Sequence, residues 1–318
     1  MRVVVVGGGS WGSVFGALLA ERAHEVTLAC RDPEEARIIA ETGRNPRYIT
    51  DADLSAVSAA PLADAPFAEA ELVCLAVPSR AFREVAEALP GSAPVLSLTK
   101  GLDPETGERL SRVVRGRPVA VLTGPNHAEE IAQGLPAAAV ISSADEALAV
   151  ELQHAIISPR FRVYLNSDLV GVELCAAAKN VMALAAGGVD GFGFGDNAKA
   201  ALITRGLSEM ARLGEACGAR GETFSGLAGM GDLIVTCFSR YSRNRRAGEL
   251  IAQGLSAEEA REEIGMVVEG LTTAPVLRDL SRRLGVELPI TEAICEVLNG
   301  TSALDLVSGL MRRTPTDE

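Results

Sequence analysis

Lys179 lies in Glu173-Leu-Cys-Ala-Ala-Ala-Lys-Asn-Val-Met-Ala-Leu, a run that reads as a helix apolar on nearly every side. A lysine there has no easy route to bulk water, and burying its ammonium costs several kcal/mol unless a counter-charge compensates. Desolvation lowers the pKa of such a lysine toward the range useful for proton transfer. Asp232, in the glycine-rich turn Gly229-Met-Gly-Asp, is the candidate counter-charge. Lys100, in Leu98-Thr99-Lys100-Gly101, follows a buried strand; it is either an ordinary loop lysine or a group held at the carboxyl edge of a sheet, where ligands of α/β folds bind. Seven positions after Asp232 begins Ser239-Arg-Tyr-Ser-Arg-Asn-Arg-Arg, with four arginines in eight positions. Guanidinium forks beside a hydroxyl and an amide suit a planar or tetrahedral oxyanion. A solvated basic face is the plainer reading of such a run. The apolar stretch Leu233–Val235 before it favours an anchored anion site.

A second device stands at the N-terminus. The β-branched run Val3–Val6 enters Gly7-Gly8-Gly9-Ser10-Trp11-Gly12 and then a helical pattern. In this Gly-x-Gly-x-x-Gly arrangement Gly7 permits the tight turn, Gly9 lets a pyrophosphate approach the backbone, and Gly12 lets the helix pack on the strand. The helix N-terminus supplies free N–H groups for the phosphates. The second strand ends at Cys30-Arg31-Asp32, where a dinucleotide's adenosine ribose is read. A guanidinium at Arg31 can stack on adenine or neutralise a 2′-phosphate, so NADP is favoured with NAD also accepted. Asp32 begins Asp-Pro-Glu-Glu and reads as a helix N-cap.

Composition limits the function classes. The chain has 318 residues, 47 % hydrophobic, enough for two domains with a sizeable core. Its net charge of −12 argues against broad nucleic-acid or membrane-surface binding, so an anionic substrate must be captured by a local cluster. Six scattered cysteines (Cys30, Cys74, Cys175, Cys217, Cys237, Cys295) without a Cys-x-x-Cys pair read as buried reduced thiols in a cytoplasmic setting. The three histidines lack metal-ligand spacing, and no metal is expected. The apolar first twenty residues are broken by glycines and do not read as a signal peptide; no segment reads as long and apolar enough to span a bilayer.

The elements that must position these groups alternate in the first half. Strands are expected at Arg2–Val6, Glu25–Cys30, Leu72–Ala76, Val95–Leu98, Val119–Leu122, Ala139–Ser142 and Arg162–Leu165, with helices such as Gly12–Arg22, Ser79–Leu89 and Ala144–Ile157 between them. Near-continuous apolar strands separated by helices indicate a doubly wound, mainly parallel sheet covered on both faces. After about residue 167 helical patterns take over: Leu169–Ala186, Ala198–Cys217, Ala257–Glu263, Thr272–Leu284 and Thr291–Leu298. The expected organisation is a dinucleotide-binding domain over 1–166 and an all-helical substrate domain over 167–318.

Taken in order, several blocks carry a resemblance. Gly7–Gly12, Ala-Val-Pro-Ser at 76–79, Thr-Lys-Gly-Leu at 99–102, Gly-Pro-Asn-His-Ala-Glu-Glu at 124–130, Lys179-Asn180, Gly-Met-Gly-Asp-Leu at 229–233, Ser-Arg-Asn-Arg at 242–245 and Val-Glu-Gly-Leu-Thr-Thr at 268–273 resemble the bacterial NAD(P)-dependent glycerol-3-phosphate dehydrogenase family over essentially the whole chain. The resemblance implies a Rossmann-type N-terminal domain, a C-terminal domain of the 6-phosphogluconate dehydrogenase type, and a cytoplasmic homodimer. The implied activity is reversible reduction of dihydroxyacetone phosphate to sn-glycerol 3-phosphate for glycerophospholipid synthesis. It makes Lys179 the proton donor and acceptor. It surrounds substrate with Lys100, Gly124, Asn126, Asp232, Ser242, Arg243 and Asn244. Family cofactor positions fall on Ser10, Trp11, Arg31, Tyr48, Lys100, Ala128, Arg243, Val267 and Glu269, beside the glycines of the turn.

Two departures stand out. Asn126-His127 replaces a Ser or Thr followed by an aromatic or aliphatic residue, and His127 is expected to alter the pH profile. The family's Asn-Pro-x-Tyr-Leu-Pro reads Asn45-Pro-Arg-Tyr48-Ile-Thr, an altered setting for Tyr48. Two other readings of the same residues are a 3-hydroxyacid dehydrogenase, whose carboxylate substrate would use the arginines, and a redox sensor that binds dinucleotide without turnover. The sensor would need neither a buried Lys179 nor an oxyanion receptor.

Overall fold

The computed structural model describes residues 1–304; the expected end of the second domain at 318 lies outside the described residues. Strands β1 (Arg2–Val6), β2 (Glu25–Cys30), β3 (Ser58–Pro61), β4 (Leu72–Leu75), β5 (Val95–Ser97), β6 (Val119–Thr123), β7 (Ala137–Ser143) and β8 (Phe161–Leu165) form one sheet in the order β3-β2-β1-β4-β5-β6-β7-β8. All neighbours run parallel except β6 and β7. The chain reverses direction from β1 to β4 across the sheet, which leaves a crevice beyond the carboxyl ends of β1 and β4.

Helices α1 (Ser10–Glu21), α2 (Pro33–Thr42), α3 (Ser79–Ala88), α4 (Leu110–Val113), α5 (Ala128–Ala132) and α6 (Glu146–Ile156) connect the strands. Strand alternation explains the two-sided core: Val3 and Val5 pack with Phe15 and Leu19 of α1, while Val4 and Val6 face Phe82, Leu110 and Val113. Each such side chain, when fully buried, contributes about 1.5–3 kcal/mol. Asp32 caps α2 as its sequence position suggested, its Oδ1 accepting from the Glu34 N–H at 3.0 Å.

Beyond β8 the chain is helical: α7 (Leu169–Gly191), α8 (Gly195–Ala216), α9 (Gly221–Ser225), α10 (Asp232–Phe238), α11 (Arg243–Ala252), α12 (Ala257–Ile264), α13 (Glu269–Leu284) and α14 (Pro289–Leu298). Helix α7 is the hub. It has the length and composition of a membrane-crossing helix, contrary to the expectation that no segment does, and 89 % of its most apolar 18-residue stretch is buried in the protein. A Cβ on Gly187 would overlap the Arg245 carbonyl, and one on Gly248 would overlap that of Leu184. Helices α7 and α11 thus touch backbone to backbone, and two glycines make that approach sterically feasible.

The glycine-rich 229–232 segment is not a turn. Leu227–Gly231 forms a π-helical turn that continues directly into α10. Gly229 is required because its Cα packs on the backbone of Phe224. All six cysteines are free; five are buried and Cys217 is half-buried.

Candidate active site

The strands β1, β4, β5 and β6 deliver the first group of residues at their carboxyl ends. Gly7 has φ +115°, and a Cβ there would meet the Ala76 carbonyl oxygen at 2.6 Å. Gly12 could carry no side chain without striking the Gly7 carbonyl. A Cβ on Gly9, by contrast, would meet nothing within 4 Å, so the backbone is open on that side. Ser10 starts α1 and Trp11 packs on Phe15 and Phe161, with its Nε1–H buried and unpartnered. Asn45, which opens the Asn-Pro-x-Tyr motif but was given no role of its own, donates to the Gly8 carbonyl at 2.7 Å and to Ser13 Oγ at 3.0 Å. Its Oδ1 accepts the Arg47 and Tyr48 N–H groups, bringing the Tyr48 loop to the glycine turn. Arg31 is exposed at the end of β2.

Lys100, after β5, points its ammonium at three acceptors: Asn126 Oδ1 at 2.8 Å, Asp232 Oδ2 at 2.9 Å and the Gly124 carbonyl at 3.1 Å. Gly124 follows β6 with φ +133°, its Cα against Ala138 and Ala139 of β7. The other oxygen of Asp232 accepts from Lys179 Nζ at 2.5 Å. Thr236, one turn along α10, accepts from Lys179 Nζ at 2.8 Å, and Thr123 at the end of β6 donates to Asp232 Oδ2 at 3.2 Å. One buried carboxylate is therefore shared by two ammonium groups from different domains. Sequence reasoning missed Thr236 and Thr123; reading α10 as a helix would have put Thr236 on the face of Asp232.

The electrostatics follow from burial. Desolvation pushes the Lys179 pKa down to about 7, against the pull of Asp232 and with help from the like charge of Lys100. Burial opposes ionisation of Asp232, yet the Lys100 and Lys179 charges outweigh it and hold the carboxyl at about 2. Burial first, then the charges of Lys179 and Lys100, push the His127 pKa down to about 4, so it stays neutral through the physiological range. The Nδ2 of Asn126 is buried without a hydrogen-bond partner among the described residues.

The arginine segment separates into distinct roles. Ser242 caps α11, its Oγ accepting from the Arg245 N–H at 3.2 Å. Arg245 ties the helix to Asp190 of α7 at 2.6 Å, and Arg246 pairs with Glu249 at 3.1 Å. Arg240 meets the Tyr241 hydroxyl and ring. Arg243, the first residue of α11, is exposed and makes no hydrogen bond or ion pair with a described residue. The side chain of Asn244 is buried instead, donating to Asn180 Oδ1 at 3.0 Å and accepting from the Gly270 N–H at 2.8 Å.

Glu269, at the start of α13, accepts from the Ser79 N–H at 3.0 Å and from its hydroxyl at 2.5 Å. Burial raises the Glu269 pKa against those bonds and the charges of Arg243 and Arg80. Val267 lies between α12 and α13 and Ala128 begins α5. The structure thus gathers Lys100, Gly124, Asn126, Lys179 and Asp232 in direct contact. Arg31 and Tyr48 stand apart from these five, at the second strand and the loop it leads to.

Comparison with known proteins is consistent along the chain. The model of the NAD-dependent glycerol-3-phosphate dehydrogenase N-terminus matches residues 2–149, and that of the C-terminus matches 168–307. A glycerol-3-phosphate dehydrogenase [NAD(P)+] of Moorella thermoacetica is 47 % identical, over 99 % of this chain and 97 % of the relative. One of Clostridium tetani is 43 % identical over 99 % and 93 %. The crystal structure of glycerol-3-phosphate dehydrogenase from Coxiella burnetii superposes with a TM-score of 0.94 at 34 % identity, covering 98 % of this chain and 99 % of that one. A glycine turn at a strand-order reversal, a lysine buried on one shared carboxylate and family models spanning both domains lead to one assignment: the chain belongs to the NAD-dependent glycerol-3-phosphate dehydrogenases.

Proposed function

We propose that Lys179 is the proton donor when this dehydrogenase reduces dihydroxyacetone phosphate, and the proton acceptor when it oxidises sn-glycerol 3-phosphate. The observation that carries this is the ion pair of a fully enclosed lysine with a carboxylate already shared with Lys100. Near its midpoint, an ammonium can release a proton to a developing alkoxide and recover it without a large penalty either way. A nicotinamide cofactor held at the Gly7–Gly12 turn would supply or take the hydride at the substrate C2. Lys179 delivers the proton to the C2 oxygen, Asp232 stays anionic throughout, and Lys100 and the free Asn126 Nδ2–H stabilise negative charge on that oxygen. Arg243, exposed and without a hydrogen bond or ion pair to a described residue, takes the phosphate at the start of α11, where the N–H groups of Arg243 and Asn244 are also free of intrahelical partners.

The glycine turn fits a dinucleotide: the free space over Gly9 and the α1 N-terminus suit the pyrophosphate. Arg31, Tyr48, Trp11, Ala128, Val267 and Glu269 form the remaining cofactor surface. Asp32 spends its carboxylate on capping α2 and leaves Arg31 to read the adenosine ribose, which supports NADPH over NADH. A cytoplasmic role in supplying glycerophospholipid head groups follows from this activity. Leu135, Ile234 and Phe238, exposed along one groove, support a homodimer.

The deciding assay follows NADH and NADPH oxidation with dihydroxyacetone phosphate against 3-oxo acids. A phosphate-dependent rate is expected with both cofactors and the larger kcat/KM with NADPH. A rate with 3-oxo acids alone would reassign the substrate. Lys179→Ala should keep cofactor affinity and lose most turnover; unchanged turnover removes Lys179 from the mechanism.

A further inference from the structure

Lys100 is delivered by β5 but carried on the loop that leads to α4, and that loop closes on itself. Leu102 pairs with Arg109 in an antiparallel bridge, and the Asp103 N–H donates to the Glu108 carbonyl at 2.9 Å. The Asp103 carboxylate, 1 % exposed, accepts the Glu105 and Thr106 N–H groups at 2.9 and 3.0 Å and Arg83 Nε of α3 at 2.7 Å. Beyond the bridge one carboxylate ties the loop to the other domain. Glu173 of α7 is 3 % exposed; its Oε1 accepts from the Ser111 N–H at 2.8 Å, and its Oε2 from the Ser111 hydroxyl at 2.6 Å and from Arg109 Nη1 at 2.7 Å. Leu102 is packed in the same apolar cluster as Val172 and Cys175 of α7. Nearer the site the Lys100 carbonyl accepts from Asn180 Nδ2 at 3.4 Å, a long contact.

We propose that Glu173 is a positioning residue: through Arg109 and Ser111 it holds the Lys100 loop against the helix that carries Lys179, and so keeps both ammonium groups on the one carboxylate of Asp232. Lys179 follows Glu173 by six positions, about 9 Å along the helix axis, so Glu173 acts on the site through the loop. A buried carboxylate is costly unless its lone pairs are taken, and burial raises the Glu173 pKa against the Ser111 bonds and the Arg109 charge. An apolar pair of equal volume would join the domains as firmly. It would not fix where along α7 the loop sits, whereas directed bonds to Ser111 do. Lys100 reaches Asp232 at the end of a flexible four-carbon stem, so the place of its ammonium follows its backbone. With the loop loosened, Lys100 draws back and the carboxylate serves Lys179 more fully. The proton affinity of Lys179 then rises, because the like charge that lowers it has moved away. The other titratable groups near Lys179 and Asp232, namely His127 and the Cys175 and Cys237 thiols, are held neutral by burial.

The inference rests on Lys179 as the proton-transferring group, and the test separates the two. The chain has three lysines, Lys100, Lys179 and Lys199, so carbon-13 at lysine Cε gives three NMR signals, each assigned by substitution to arginine. Lys179 can then be titrated without substrate. Glu173→Gln keeps the side-chain shape and loses the charged acceptor of Arg109; Ser111→Ala removes one bond and changes no charge. With folding verified by melting curves, the Lys179 midpoint is expected to rise by about one unit in Glu173→Gln and by less in Ser111→Ala. At about pH 6, where Lys179 is largely protonated in every form, kcat/KM for reduction of dihydroxyacetone phosphate should fall about 10-fold in Glu173→Gln, because Lys100 no longer meets the C2 oxygen. Were Glu173 merely a remote negative charge, its removal would lower the midpoint instead. A lowered or unmoved midpoint, or an unchanged kcat/KM, in Glu173→Gln overturns the proposal. Should that variant fail to fold, a lowered or unmoved midpoint in Ser111→Ala overturns it equally. Undiminished turnover in Lys179→Ala would sink the functional reading alone, with the titration still judging Glu173.

Discussion

Replacing Asp232 by asparagine keeps the shape of the site and removes the charge that lets Lys179 stay protonated while buried. In the parent enzyme Lys179 Nζ and Asp232 Oδ1 are 2.5 Å apart, with side chains 5 % and 2 % exposed. Opposite charges at such range are worth about 1–3 pKa units. With Lys100 left as an uncompensated like charge, a downward shift of about two units is expected. The Lys179 midpoint should move from about 7 to about 5. Above both midpoints this leaves about 100-fold less protonated lysine. A stronger acid donates more readily and recovers part of that, so kcat/KM for reduction at pH 8 should fall about 10- to 100-fold. Toward pH 5 the deficit should close. Because the equilibrium constant at a given pH is unchanged, oxidation must fall by the same factor at that pH. The assay is the pH profile of kcat/KM in both directions between pH 5 and 9, with a melting curve to verify folding. A pH-independent loss with an unmoved midpoint would refute the idea that Asp232 governs the proton affinity of Lys179.

Other perturbations separate the remaining groups. Arg243→Ala removes a charge-assisted phosphate contact worth about 1.5–3 kcal/mol, so KM for dihydroxyacetone phosphate should rise roughly 10- to 150-fold with cofactor KM moving less; equal KM changes for both would argue against a dedicated phosphate contact. Arg31→Ala should lower the NADPH-over-NADH preference about tenfold, the loss of one such contact, and an unaltered ratio in steady-state assays would clear Arg31 of cofactor selection. His127 is neutral when folded, with its pKa lowered from 6.5 to about 4. The stability this confers is complete above pH 6.5 and is lost as pH falls through about 4, a total of about 3 kcal/mol at about 1.4 kcal/mol per unit. His127→Phe should flatten denaturant-midpoint titrations across that window, and a persisting slope would assign the acid sensitivity elsewhere.

The Rossmann half was legible because its central strands, β1, β4 and β5, are buried on both faces and consist largely of valine and leucine runs. The segment that escaped, β3, is Ser58-Ala-Ala-Pro at the sheet edge, with no such residue to mark it. Strand direction escaped as well: nothing in Ala137–Ser143 distinguishes an antiparallel neighbour from a parallel one, and β7 reverses against β6. In the helical half, long periodic helices were legible, while α10 and α11 hid behind glycines and arginines. Gly229 and Gly248 mark close backbone approaches to Phe224 and Leu184, not flexible turns. Local propensity reports flexibility at a glycine, whereas tertiary packing can demand the missing Cβ for the opposite purpose.

The site divides along the same physical line. Lys179 announced itself because a cation on an all-apolar helix contradicts its surroundings, and such a contradiction is visible in one stretch of sequence. Asp232 could be named as a partner, but its use by two lysines depends on Thr123, Lys100 and α10 meeting across 132 positions of chain. The Glu269–Ser79 contact spans 190 positions and left no local sign. The family resemblance pointed to Arg243 among the four arginines, but nothing local announced that Arg245 and Arg246 pair with Asp190 and Glu249 while Arg240 meets Tyr241. What sequence can mark is a group whose local setting is unfavourable; what it cannot mark is how many groups share the remedy. In the proposed mechanism that sharing adds to the effect of burial, because one carboxylate serving two ammonium groups holds the Lys179 proton less firmly than a private ion pair would.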